Sequence, residues 1–400
     1  MTPQKTPSLP EYDPADPVES AVVSRLARNW GQRATVKKPE PDLDALFDLD
    51  KQDYPNELLP FADHDRFLGM SEEQRNQLRA WAWIAFNKNV MDIEQYVVNP
   101  GFDLVAHDAL DTGLGDTFAV AVHQAMVDEQ YHTLMHLNAS AVTRRQRGWA
   151  MPNNALPDVL TLRRQRAATA EAADPRKRAI TTFAFMTVAE ISISSYLDLI
   201  SENDVIQPVN RATVRLHNRD EYCHASIADD IAGVVYDTLS PDDRRHFLDG
   251  LVDAMTAFSS NDYSTWHTIV GLMDLGGGQA MIDDAEHDTR RSALVQDFGG
   301  IHKLCKHLAS PARCPSSGST DTQLQGFVAM ARCVSRHSAV PDAPSSSLRS
   351  SVHTVAYESI TGSEIHFDSP RRDFRESVGE QVLVAGQPGY ERRQVVEHDR

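Results

Sequence analysis

Cysteine is scarce in this chain. Four occur, Cys223, Cys305, Cys314 and Cys333, and no two of them form a C-x-x-C pair. That argues against a disulfide scaffold or a zinc ribbon and fits reduced thiols in a cytoplasm. Basic residues are also few: 39 Lys and Arg against 57 Asp and Glu leave a net charge of −18. A general nucleic-acid binder shows a basic stripe, so no nucleic-acid partner is expected. The opening MTPQKTPSLPEYDPADP has no apolar h-region, so no secretory signal is expected either. Long apolar runs are missing apart from residues 179–200, which approach bilayer length. Glu190 and several Ser and Thr interrupt that run, so it reads as a buried core helix, with no membrane partner. Gly276-Gly277-Gly278 lacks the G-x-G-x-x-G spacing and a preceding strand, so it reads as a turn.

Against these absences stands one repeated pattern. Asp128-Glu129-Gln130-Tyr131-His132 and Asp220-Glu221-Tyr222-Cys223-His224 are both D-E-x-x-H. A lone glutamate in an apolar helical stretch precedes each, Glu94 before the first and Glu190 before the second. With 19 Glu and 16 His, chance supplies about 0.8 E-x-x-H matches. Two copies that also carry the leading Asp are expected by chance only a few times in roughly a thousand such chains. A metal-binding four-helix bundle needs one Glu from each of two helices and Glu-x-x-His from each of the other two.

Helical periodicity supports that arrangement. A capping box, Ser71 with Gln74, opens a helix expected over residues 71–98. Further helices are expected over 116–145, from Asp174-Pro175 to about 201, and from Pro208 to about 239. Another starts at Ser240-Pro241, and helical pattern continues at 261–275 and 291–309. Residues 1–60, rich in Pro and Asp with one short helical piece at 19–30, read as an extended arm that wraps the core. Residues 61–310 form the helical domain. Residues 311–400 read as an irregular appendage, disordered or a small β unit. The rhythm of 357–368 faintly resembles the opening hairpin of a plant-type ferredoxin, but the C-x₄-C-x₂-C loop is absent. The fold class expected is all-α, a four-helix bundle with extra helices and an irregular C-terminal tail.

Each candidate carboxylate falls within an apolar stripe. Glu94 follows Met91 and precedes Val98; Glu190 shares a face with Phe183, Met186, Ile193 and Leu197. Val214, His217, Glu221, His224, Ala228, Ile231 and Val235 line one stripe at spacings of three or four. A bare carboxylate there costs several kcal/mol unless it is paired or metal-bound. A single Glu–His pair is more often a plain buried hydrogen bond. Four carboxylates with only histidines as polar company favour a central cation. Carboxylates with imidazole suit iron or manganese better than four-coordinate zinc. Asp128 and Asp220 read as acceptors for ligand-histidine N–H groups. His217 adds a seventh donor to the usual six. His123 and His136 read as bystanders.

With that extra histidine, the order Glu, Glu-x-x-His, Glu, His-x₃-Glu-x₂-His resembles the di-iron arylamine N-oxygenases, the p-aminobenzoate N-oxygenase-like family, over roughly residues 20–310. The resemblance implies a ferritin-like fold and two iron ions, with manganese admissible at one or both sites. The implied ligands are Glu94, Glu129, His132, Glu190, His217, Glu221 and His224, with Glu129 and Glu221 bridging. It implies O2 as co-substrate, an aromatic amine oxidised through hydroxylamine and nitroso stages to a nitro compound, and an external reductase or ferredoxin as electron donor. A homodimer is admissible. Rival readings are another di-iron oxygenase, a ferroxidase, or a radical protein using Tyr96, Tyr131, Tyr196 or Tyr222. Arg79, Arg215 and Arg219 are candidates for meeting a substrate carboxylate and equally for a solvated face.

Overall fold

In the computed structural model, residues 9, 11–16, 20–172, 174–288 and 298–308 are described. They all fall in one unit, Met1–Asp342. The expectations for residues 311–400, with Cys314, Cys333 and the rhythm at 357–368, lie outside the described residues. The helices are α1 (Ala21–Arg33), α2 (Asp65–Leu68), α3 (Glu72–Ile93), α4 (Asn99–Ala106), α5 (Asp116–Arg147) and α6 (Leu160–Glu171). Then come α7 (Pro175–Ser201), α8 (Pro208–Thr238), α9 (Pro241–Ser259), α10 (Tyr263–Leu272), α11 (Gly278–His287) and α12 (Gly299–Leu308). Among the described residues, β pairing is limited to an isolated bridge between Gln52 and Ile206. The protein is all-α, and α3, α5, α7 and α8 form a ferritin-like core.

The local signals set the helix ends. Ser71 and Gln74 form both bonds of the capping box at α3. Asp174 accepts the Lys177 N–H at 2.8 Å to start α7, and Ser240 accepts the Asp243 N–H at 3.2 Å to start α9. Gly148, at φ 68°, closes α5 in the left-handed conformation that glycine adopts without strain.

One helix differs from its expected course. The stretch read as 71–98 does not stop there. A single π turn, Glu94–Val98, joins α3 to α4. The Asn99 N–H bonds back to the Glu94 carbonyl, five residues earlier. Pro100 has no N–H, and its ring crowds the preceding turn of an ordinary helix. The wider turn relieves that crowding and lets the helix run on. Gly101 permits α4 to lie against α7: a Cβ there would stand 2.3 Å from the Met186 Cβ.

Two apolar clusters fill the bundle, and the polar stripe lies between them. On α3 the boundary falls between Val90 and Ile93, on α7 between Ala189 and Ile193. On α5 it falls between Ala125 and Ala139, and on α8 between Val214 and Ile227. Among the described residues, one helix, Pro175–Ser201, is long and apolar enough to cross a membrane, and 67% of its apolar window is buried inside the fold. α1 packs on α5 and α8, α12 packs on α7 and α8, and α6 and α9 cover α7.

Candidate metal centre

The gap between the clusters is where all seven sequence-selected donors meet. Ligand atoms of Glu94, Glu129, His132, His217 and Glu221 lie within 4.8 Å of one another. Those of Glu129, Glu190, Glu221 and His224 do the same. Glu129 and Glu221 belong to both groups. Glu94 heads the π turn, a feature that recurs at functional sites. Every one of the seven is buried.

Charge explains how these groups coexist. Burial, then the charges of Glu129 and Glu221, pushes the Glu94 and Glu190 carboxyls well above their usual range. Burial would also raise Glu129 and Glu221, but the neighbouring histidines outweigh it and hold both low. Burial would lower His132 and His224, and the Glu129 charge overcomes it and raises both. The acids and histidines thus perturb one another strongly in a site too dry to screen them. Glu94 Oε1 and Oε2, Glu190 Oε2 and Glu221 Oε2 are buried without a hydrogen-bond partner. Native interiors seldom tolerate such groups without a reason.

His217 is set by a chain of hydrogen bonds. The Trp83 carbonyl can only accept, so it takes the Asn87 Nδ2–H, at 2.8 Å. Asn87 Oδ1 then accepts from His136 Nδ1–H at 2.6 Å. His136 Nε2 is left to accept from His217 Nδ1–H at 2.9 Å. Burial holds both rings below their usual range, so they are neutral. His217 Nε2 therefore bears a lone pair, 2.8 Å from Glu221 Oε1 and 3.4 Å from Glu94 Oε1. A lone pair facing carboxylate oxygens is repulsive unless a cation lies among them. The donor set fits metal ions.

A cross-paired outer layer orients the other two rings. His224 Nε2–H donates to Asp128 at 3.2 Å, and His132 Nε2–H donates to Asp220 at 3.3 Å. Each Asp thus serves the histidine of the opposite motif. The N-terminal segment supplies the next bonds. Trp30 Nε1–H donates to both oxygens of Asp128 at 2.9 Å. The Thr35 N–H donates to both oxygens of Asp220, at 3.2 and 3.0 Å. Sequence reasoning missed Trp30 and Thr35, which carry no spacing signal, and it set His136 aside although it bonds directly to His217. His123 stays apart, exposed and bonded to the Ala119 carbonyl at 2.7 Å.

α1 covers the α5/α8 side, and the α3/α7 side carries a cleft. Phe86, Ile93, Ile193 and Tyr196 wall it, and the empty space, mouth included, is about 900 Å³. Ile93 directly precedes Glu94, and Ile193 lies three residues after Glu190. Of the other tyrosines, Tyr96 and Tyr222 are exposed and Tyr131 donates to Glu40 at 2.9 Å. None of the three arginines named from sequence lines the cleft. Arg79 binds Asn56 and Glu72, Arg215 binds the Ser201 carbonyl, and Arg219 binds Thr35 Oγ1.

The fold and the paired carboxylate–histidine clusters define a ferritin-like protein whose core is built for metal ions. Sequence comparison carries the assignment further. The family described as p-aminobenzoate N-oxygenase AurF matches residues 16–309. A curated relative, the 4-aminobenzoate N-oxygenase of Streptomyces thioluteus, is 32% identical over 293 residues, covering 73% of this chain and 87% of that protein. The chain belongs to the p-aminobenzoate N-oxygenase family.

Proposed function

We propose that this protein is a di-iron N-oxygenase that uses O2 to convert an aromatic amine to the nitro compound, through hydroxylamine and nitroso stages. Glu94, Glu129, His132, His217 and Glu221 hold one iron; Glu129, Glu190, Glu221 and His224 hold the other, with Glu129 and Glu221 shared. Manganese is an admissible occupant of either position. The observation that carries the reading is the buried His217 Nε2, which lies 2.8 Å from a Glu221 oxygen and 3.4 Å from a Glu94 oxygen. Family membership supports the amine chemistry.

When bound, the two irons supply the electrons needed to split O2, replenished by an external reductase or ferredoxin. The chain's own residues set the conditions. Asp128 and Asp220 hold the His224 and His132 rings by their outer N–H groups, which fixes tautomer and orientation. His136 does the same for His217. The two apolar clusters keep bulk water from the centre and so limit side reactions. Exposure of iron-loaded protein to ¹⁸O2 with a panel of anilines, over several turnovers and with reductant supplied throughout, tests this function. The expected product is a nitroarene with label in both oxygens. Consumption of O2 without a hydroxylamine, nitroso or nitro product overturns the reading.

A further inference from the structure

We infer that the α3/α7 cleft takes an arylamine whose ring bears a neutral, hydrogen-bonding substituent, and that it discriminates against an aminobenzoate. This rests on the N-oxygenase reading and narrows its substrate. The cleft lies beside the centre: its walls Ile93 and Ile193 stand one residue before Glu94 and three after Glu190. Its polar lining consists of Asn89, Thr161, Ser260, Asn261, Asp262 and Thr265, with the phenols of Tyr54 and Tyr196 and the indole of Trp266. Among the described residues, no Lys, Arg or His lines it.

The cations close by in sequence are already committed. Arg163 Nη2 lies 2.8 Å from Asp262 Oδ1, and Lys88 Nζ lies 2.5 Å from Asp92 Oδ2. Asp262 lines the cleft, and its charge is balanced by Arg163. It is held there by the Leu160 N–H at 3.0 Å and the Ser264 hydroxyl at 2.5 Å. A substrate carboxylate would lose its hydration with no cation lining the cleft to replace it. A neutral amide, ester or alcohol avoids that penalty. Asn89 can receive it. Its amide, five residues before Glu94 on α3, makes no hydrogen bond to the described residues and offers both donor and acceptor. The apolar walls, Phe86, Ile93 and Ile193, suit the ring.

The test compares 4-aminobenzoate with 4-aminobenzamide and 4-aminobenzyl alcohol on the full-length, iron-loaded protein. Dissociation constants come from calorimetry without reductant, and product formation comes from the reduced enzyme under O2. The neutral amines are expected to bind about tenfold or more tighter than the benzoate and to be the better substrates. Asn89→Arg places a guanidinium in the cleft and should raise benzoate affinity about tenfold while lowering that of the amide. Circular dichroism checks the variant's fold, and the wild-type comparison stands if it does not fold. Equal or tighter binding of 4-aminobenzoate by the wild-type protein overturns the substrate inference and leaves the N-oxygenase reading intact. Oxidation of none of the three amines overturns that reading, and the inference with it.

Discussion

Replacing Trp30 with Phe should weaken a metal centre that Trp30 does not touch. The indole N–H donates to both oxygens of Asp128 at 2.9 Å, and Asp128 in turn holds His224. Asp128 is 0% exposed, so an oxygen that loses its donor stays in a dry site. A hydrogen bond to a buried charge contributes about 1.5–3 kcal/mol. Trp30 is half-buried and water can partly replace its N–H, which sets the expected loss at about 1–2 kcal/mol. Arg33, 3.9 Å from Asp128, is too far to take over the bond. Losing the direct partner of a metal-bound histidine typically lowers metal affinity about 10–100-fold, and Trp30, one bond further out, should cost about tenfold or less. Urea denaturation of the metal-free protein reads the first quantity as a lower midpoint at unchanged slope. Titration against a competing chelator reads the second. Val22→Ala, on the exposed side of the same helix, is the control. Parent-like midpoint and affinity in Trp30→Phe would refute the idea that α1 braces the centre.

Three further outcomes are expected. His217→Ala should keep its fold and most of its iron, since six donors remain, but should lose most conversion of amine to nitro product; parent-rate turnover would count against His217 as a ligand. Burial raises the Asp53 carboxyl to about 6, partly countered by Arg147. A raised carboxylate stabilises the fold below its unfolded value and loses that contribution as pH rises through its folded value. Between pH ~4 and ~6 Asp53 should therefore remove about 3 kcal/mol of stability, and the wild-type pH dependence should exceed that of Asp53→Asn by that amount. A chain ended at residue 312 should retain fold and iron, because the family match stops at 309 and the last expected ligand is His224; loss of iron would place the tail in the core.

The centre was legible because its chemistry is local in sequence. Two D-E-x-x-H copies and two stripe glutamates at helical spacing mark positions that face one core, and the structure brings all seven donors together. What escaped has a physical cause in each case. The π turn at Glu94 was hidden because Asn99-Pro100 reads as a helix end, whereas a widened turn accommodates the proline. α6 went unseen because it shows no apolar stripe; its buried residues are Thr161, Leu162 and Gln165. The bracing by Trp30 and Thr35 joins residues 98 and 185 positions apart, which no local pattern encodes. His136 lies one turn past His132 and faces the same core, so its place was readable. Its bond to His217 depends on how α5 and α8 pack, which was not.

Counting the metal tests the central claim most directly. Protein purified anaerobically and reconstituted with ferrous iron should hold close to two irons per chain, or one iron and one manganese. Glu190→Ala should lower that number, since it leaves three of the four donors of its group. One zinc per chain and no iron, even after anaerobic reconstitution, would contradict the account.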